Sequence, residues 1–149
     1  MASREDVYIH FGRAAELAQM LEREIGTALL ALDGLKTKSF MNPDADAYRR
    51  LTQAVEAQTL GTSLKQMGKY FDLKNDTGGT LSRALETRNR LTHRFYAGHG
   101  LSMIEEVGRD KIVEDLREIQ TQLNTAYAIA KPLSTALVNT LLSRAKERQ

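Results

Sequence analysis

Apolar residues recur near both ends of this chain in alternating steps of four and three, and that pattern leaves few folds open. The first run is Val7, Phe11, Ala14, Ala18, Leu21, Ile25, Ala28 and Leu32; the second is Ile112, Leu116, Ile119, Leu123, Ala126, Ala130, Leu133 and Leu137. On a helix, such spacing draws one continuous stripe along a long rod, a heptad seam. Ala15, Leu17, Leu29 and Leu30 widen the first stripe, so that helix is expected to meet more than one neighbour. No stretch alternates apolar and polar residues as a half-buried strand would, and neither a repeat nor a low-complexity segment interrupts the pattern. The chain reads as all-α, an antiparallel up-and-down bundle of four to five helices. Its 149 residues fit a single helical domain, 1–149, and 42% hydrophobic with 27% charged residues is the balance of a globular chain.

Local signals place the boundaries. Ser3 is set to cap the first helix, which is expected to run to about Gly34, with Glu5 and Asp6 at its positive end. Lys36 to Pro43 reads as a loop, and Pro43 or Asp44 opens a second helix with Tyr48, Leu51, Val55 and Gln58 on one side. Thr59-Leu60-Gly61-Thr62 is expected to interrupt it before a shorter helix that buries Leu64, Met67 and Phe71. Lys74-Asn75-Asp76-Thr77-Gly78-Gly79 reads as the clearest loop, after which Thr77 or Thr80 caps a helix running to about Tyr96 and stopped at Ala97-Gly98-His99-Gly100. Met103, Ile104 and Val107 make a short apolar turn before the last helix, which starts near Gly108 or Arg109. Pro132 should kink that helix near Ala128, and the polar tail SRAKERQ should fray.

Composition narrows the chemistry. Without cysteine there is no disulfide, thiolate nucleophile or cysteine zinc site, and the three histidines never stand three or four residues apart, so neither metal nor cofactor is expected. The formal charge of +2 marks no strong polyanion binder, and any such contact has to come from a local concentration. No apolar run is long enough to span a membrane, and MASREDVY has no apolar signal-peptide core, so a cytoplasmic protein is expected.

One residue breaks the pattern. In Leu81 to Tyr96, LSRALETRNRLTHRFY, the residues Leu81, Ala84, Leu85, Leu91 and Phe95 form a stripe with Arg88 near its centre. A guanidinium keeps its charge and is costly to desolvate, so it needs a partner or a purpose there. Asn89 and His93 lie one turn apart on the flank, with Tyr96 beside them.

The run Arg88-Asn89-Arg90-Leu91-Thr92-His93 is R-x4-H with a polar residue directly after the arginine. It resembles the signature of the HEPN superfamily, small helical bundles carrying R-x4-6-H near a helix end. Thr59-Leu60-Gly61 followed by Leu64-Lys65, and Ala84-Leu85-Glu86 before Arg88, also resemble members of that family, and at the level of architecture the likeness covers most of the chain. It implies a metal-independent endoribonuclease of the toxin–antitoxin or phage-defence kind, in which two motifs meet across a homodimer, with RNA as substrate and a cognate antitoxin as a further partner. Arg88, Asn89 and His93 are then the catalytic residues. Histidine is the side chain that titrates near neutrality, so His93 is the acid or base; Arg88 holds the scissile phosphate, and Asn89 orients His93 or donates to a phosphate oxygen. Four arginines against Glu86 between Leu81 and Gly100 suit a short single-stranded substrate, held by Arg90, Arg94 and Tyr96. One departure stands out: some family toxins carry tyrosine two residues after the histidine, where a partner nucleotidylates it, and here that residue is Phe95, with Tyr96 next.

Plainer readings stand beside this one. Arg88 pairs with a buried carboxylate from a long helix, His93 is a helix-end histidine held by the dipole, His99 is a loop tip and His10 is isolated. The competing function is a non-catalytic helical module that binds RNA, a nucleotide or a protein through the same cleft.

Overall fold

The computed structural model describes residues 1–41, 44–70 and 76–147. It is all-helical, with no strand among the described residues. Among the described residues there are six α-helices rather than the four to five expected, because the end of the α4 segment splits off as the short α5: α1 Arg4–Thr37, α2 Ala45–Glu56, α3 Leu60–Met67, α4 Asp76–His93, α5 Phe95–His99 and α6 Glu106–Lys146, with 3-10 turns at Ser39–Met41 and Gly100–Met103. No helix among the described residues is long and apolar enough to cross a membrane.

Both seams are where the periodicity puts them. Seven of the eight α1 seam residues are buried and Phe11 is half-buried; on α6 all are buried from Ile112 to Ala130, with Leu133 and Leu137 half-buried. Ser3 and Asp6 close a reciprocal cap at the start of α1. The Ser3 Oγ accepts from the Asp6 amide at 3.1 Å, while the Asp6 carboxylate accepts from the Ser3 amide and hydroxyl at 2.8 and 2.7 Å. Those Ser3 bonds hold the Asp6 carboxyl below its ordinary range. Asp44 caps α2, accepting from the Asp46 and Ala47 amides at 3.0 and 3.2 Å.

Several boundaries fall elsewhere than the sequence suggests. Gly34 does not end α1: it is buried inside a helix that runs one turn further, the Thr37 hydroxyl bonds the Asp33 carbonyl at 2.8 Å, and the chain turns at Lys38 with φ +54°. Of the expected loop, the described residues show a turn at Lys38 and a 3-10 turn at Ser39–Met41; Asn42 and Pro43 lie outside the described residues. The break after α2 lies at Ala57 and Gln58, and Thr59 starts α3 rather than interrupting a helix, accepting from the Thr62 amide at 3.3 Å. Phe71, Lys74 and Asn75 lie outside the described residues. Asp76 to Gly79, read as loop, belong to α4, so neither Thr77 nor Thr80 is a cap. Glycine costs a helix about 1 kcal/mol per residue, which the burial of Leu81 and Ala84 further along offsets. α4 stops at His93, three residues early, because Arg94 leaves the helical region (φ −134°, ψ 2°) and α5 then brings Phe95 inward. Gly98 and His99 are helical, and the reversal comes at Gly100, with φ +50°. α6 starts at Glu106, and Pro132 sits within it without ending it.

The chain divides into two compact units, one of residues 1–21 and 79–127, the other of 22–78 and 128–149. The core of the first includes Val7, Leu21, Leu81, Phe95, Ile112, Leu116, Ile119 and Leu123. The core of the second is built on Ile25, Leu29, Leu32, Leu60, Leu64 and Met67. Its buried Glu24 takes Lys131 Nζ at 3.0 Å and the Ser134 hydroxyl on its two oxygens, which compensates the charge. α2 belongs to this unit and is amphipathic, with no residue fully buried: Leu51 and Val55 are half-covered and Tyr48 is exposed, and Gln58, just past its end, is half-covered.

Candidate functional site

The end of α4 and the whole of α5 lie in the first unit, and there the arginines and histidines gather. The centre of the α4 stripe is Thr87, buried, with its hydroxyl on the Gln122 side-chain oxygen; Arg88, expected at that centre, is half-buried one step to the side, as is Leu85. Helical geometry explains the shift: between Ala84 and Leu91 the midpoint falls between positions 87 and 88, and the residue that needs less desolvation turns inward. Arg88 Nη1 donates to Asn89 Oδ1 at 3.1 Å, so the two motif residues meet. The Thr92 hydroxyl bonds the Arg88 carbonyl at 2.9 Å. His93 is exposed at the last position of α4, five residues and about 140° from Arg88.

Arg90 meets a carboxylate from the closing helix. Its Nη1 and Nη2 clasp Asp115 Oδ2 and Oδ1 at 2.8 and 2.7 Å, the bidentate geometry that suits guanidinium and carboxylate. Asp115 Oδ2 also takes His99 Nε2 at 2.8 Å. His99 is therefore no loop tip. It ends α5, its ring tilts onto Phe95 with centroids 4.7 Å apart, and it shares a cleft of about 360 Å³ with Arg90, Arg94, Phe95, Gly98 and Asp115. Arg94 is exposed in that cleft. Tyr96 does not line it. Its ring lies against Phe11 and Phe95, with centroids 5.2 and 5.4 Å away, and burial followed by Tyr8 raises its hydroxyl pKa.

Sequence reasoning missed His99 and Asp115. A signal for the first was present: Arg94-Phe95-Tyr96-Ala97-Gly98-His99 repeats the R-x4-H spacing. Asp115 gave none, since a carboxylate beside a seam usually faces water. His10, too, has a partner: Gln120 Nε2 bonds its Nδ1 at 3.1 Å and its carbonyl at 3.0 Å. Burial, then Arg117 and Arg13, push its pKa down.

The electrostatics follow from the clasp. The Arg90 hydrogen bonds hold the Asp115 carboxyl below its ordinary value of 3.8, against the opposing effect of burial, with His99 adding to the lowering. Asp115 holds Arg90 above its own ordinary range. A depressed carboxyl stabilises the fold above the unfolded value and loses that contribution as pH falls through the folded one. Asp115→Asn is thus expected to lower the urea midpoint clearly at pH 7, with a smaller difference from wild type at pH 3. An equal difference at both would show that the ionised carboxylate contributes nothing.

A second cleft, about 340 Å³, lies in the other unit between Glu22, Arg23, Gly26, Val55, Glu56 and Gln58. Two glutamates against one arginine do not attract a polyanion. Among the described residues no three histidine, aspartate or glutamate side chains gather as a metal set. Comparison with protein-family models, with curated proteins and with solved structures finds no match for the chain.

Proposed function

We propose that the chain is a metal-independent endoribonuclease acting on single-stranded RNA, of the toxin–antitoxin or phage-defence kind that the Arg88-x4-His93 signature implies. In this reading it is an up-and-down helical bundle working as a cytoplasmic homodimer, with an antitoxin as its further partner. The observation that carries the reading is the concentration of Arg88 with Asn89, exposed His93, and a cleft holding Arg94 and His99 at one helix end. Such an end offers a phosphate both charge and donors, and offers a ribose a proton acceptor.

The reaction needs no bound group. The ribose 2′-hydroxyl gives up its proton and its oxygen attacks the neighbouring phosphorus; the bond to the 5′-oxygen breaks, and that oxygen takes a proton. The products are a 2′,3′-cyclic phosphate and a 5′-hydroxyl end. His93 serves one of the two proton transfers and Arg88 holds the non-bridging oxygens as their charge grows. With chelator present, the protein should cut single-stranded RNA to those ends and leave a 2′-deoxy substrate whole. Arg88→Ala and His93→Ala should each cut at least ~10²-fold slower while keeping the helical circular dichroism of wild type. A wild type that cuts nothing, or variants that cut at its rate, defeat the reading.

One observation favours the binding module instead. Leu101, Ile104 and Val107, next in sequence to the cleft-lining His99, are 79%, 62% and 67% exposed, an apolar run of the kind that takes a protein. In the ribonuclease reading that run serves the homodimer, which sedimentation tests directly. RNA retained intact at low salt and released at high salt would mark the module.

A further inference from the structure

We propose that His99, oriented by Asp115, is the second proton-transfer group of the reaction and acts as its base, with Arg90 as the residue that positions Asp115. This rests on the ribonuclease reading and deepens it. The reaction moves two protons, one off the 2′-hydroxyl and one onto the 5′-oxygen, so it needs a second group besides one His93, which the other copy's motif or a further histidine of the same chain can supply. A single chain supplies the second histidine.

The geometry carries the assignment. An ionised carboxylate only accepts, so at 2.8 Å from Asp115 Oδ2 the His99 Nε2 has to carry the hydrogen. In the neutral ring that leaves the lone pair on Nδ1, the atom that takes a proton. The ring is held in two ways besides: Phe95 lies 4.7 Å from it, centroid to centroid, and Asp115 cannot swing away because Arg90 grips both its oxygens at 2.7 and 2.8 Å. A base held in one tautomer and one plane by a carboxylate, itself held by a third group, is the arrangement that keeps proton transfer aligned. The cleft it faces is also lined by Arg94, a cation placed for the phosphate next to the attacking hydroxyl. Proton bookkeeping closes: Nδ1 of His99 takes the 2′-hydroxyl proton, and His93, entering as imidazolium, gives one to the leaving 5′-oxygen. Arg90, expected from sequence to touch substrate, instead acts through Asp115.

The test is single-turnover cleavage of a single-stranded RNA in chelator by wild type, His99→Ala, His99→Gln and Asp115→Asn, with folding followed by circular dichroism. Both His99 variants should lose roughly 10²- to 10⁴-fold in kcat with KM little changed, and added imidazole should restore part of the His99→Ala rate. Asp115→Asn should lose roughly 10- to 100-fold, since the ring remains but its orientation does not. His99→Gln cutting at the wild-type rate, or a folded His99→Ala whose loss imidazole leaves untouched, overturns the assignment while the ribonuclease reading stands. Absence of cleavage by wild type overturns both.

Discussion

Phe95→Ala is expected to lower the stability of the folded chain by about 3–4 kcal/mol, read as a fall in the urea midpoint without loss of the two-state transition. Phe95 is 2% exposed and is the ring through which its neighbours meet: Phe11 at 5.6 Å, Tyr96 at 5.4 Å and His99 at 4.7 Å between centroids. Truncation removes all three contacts and leaves a void that the end of α4 and the seam of α1 cannot both close. Phe95→Tyr is the sharper comparison, because it keeps the ring and adds a single hydroxyl. Here the added hydroxyl enters a buried position. Leaving it without a partner should cost about 1–3 kcal/mol. A Phe95→Tyr variant as stable as wild type would mean that the ring edge reaches water, and a loss below about 1 kcal/mol in Phe95→Ala would remove the aromatic cluster from the core. In this chain position 95 is packing, and Tyr96 takes the exposed side.

What could be seen beforehand divides along a physical line. Periodicity reports which face of a helix is apolar, and it placed both seams: of the sixteen apolar side chains at spacings of four and three, thirteen are buried and three half-buried. Caps are equally local: Ser3 was legible as a cap and Pro43 or Asp44 as a helix entry, and Asp44 is the residue that caps α2. Helix ends that depend on the environment were not. Nothing in Asp76 to Gly79 says that a turn rich in glycine will be helical, since what holds it is the burial of Leu81 and Ala84 beyond it. The same limit governs the site. Arg88, Asn89 and His93 could be singled out as candidates because they share one helix; the clasp of Arg90 and His99 on Asp115 joins α4, α5 and α6 across 25 and 16 residues of sequence. Thr87 displaced Arg88 from the stripe centre for want of one fact, that Gln122 stands opposite to take its hydroxyl.

Gly108→Ala should be the most damaging single methyl in the first unit, costing about 3 kcal/mol as a fall in the unfolding midpoint. A Cβ on Gly108 would overlap the carbonyl oxygen of Ser102 and stand 2.7 Å from its Cα and 2.8 Å from its carbonyl carbon. These are backbone atoms, so no rotamer relieves the clash; the 3-10 turn at Gly100–Met103 or the first turn of α6 has to move. The turn is tied in place by Arg109, whose Nε donates to the Ala2 carbonyl at 2.8 Å and whose Nη1 donates to the Met103 and Ile104 carbonyls at 3.3 and 2.8 Å. The Ala2 amide is in turn held by Asp110. Movement there therefore pulls on the start of α1 as well. It also reaches the cleft, because Asp115 lies two turns further along α6, and a shift of the helix start carries its carboxylate away from His99 and Arg90. Arg109→Ala offers the control: it removes the tie without the clash, and should cost about 1–2 kcal/mol. If Gly108→Ala stays within about 0.5 kcal/mol of wild type, the two backbones do not approach so closely, and the placement of Asp115 does not depend on that bend.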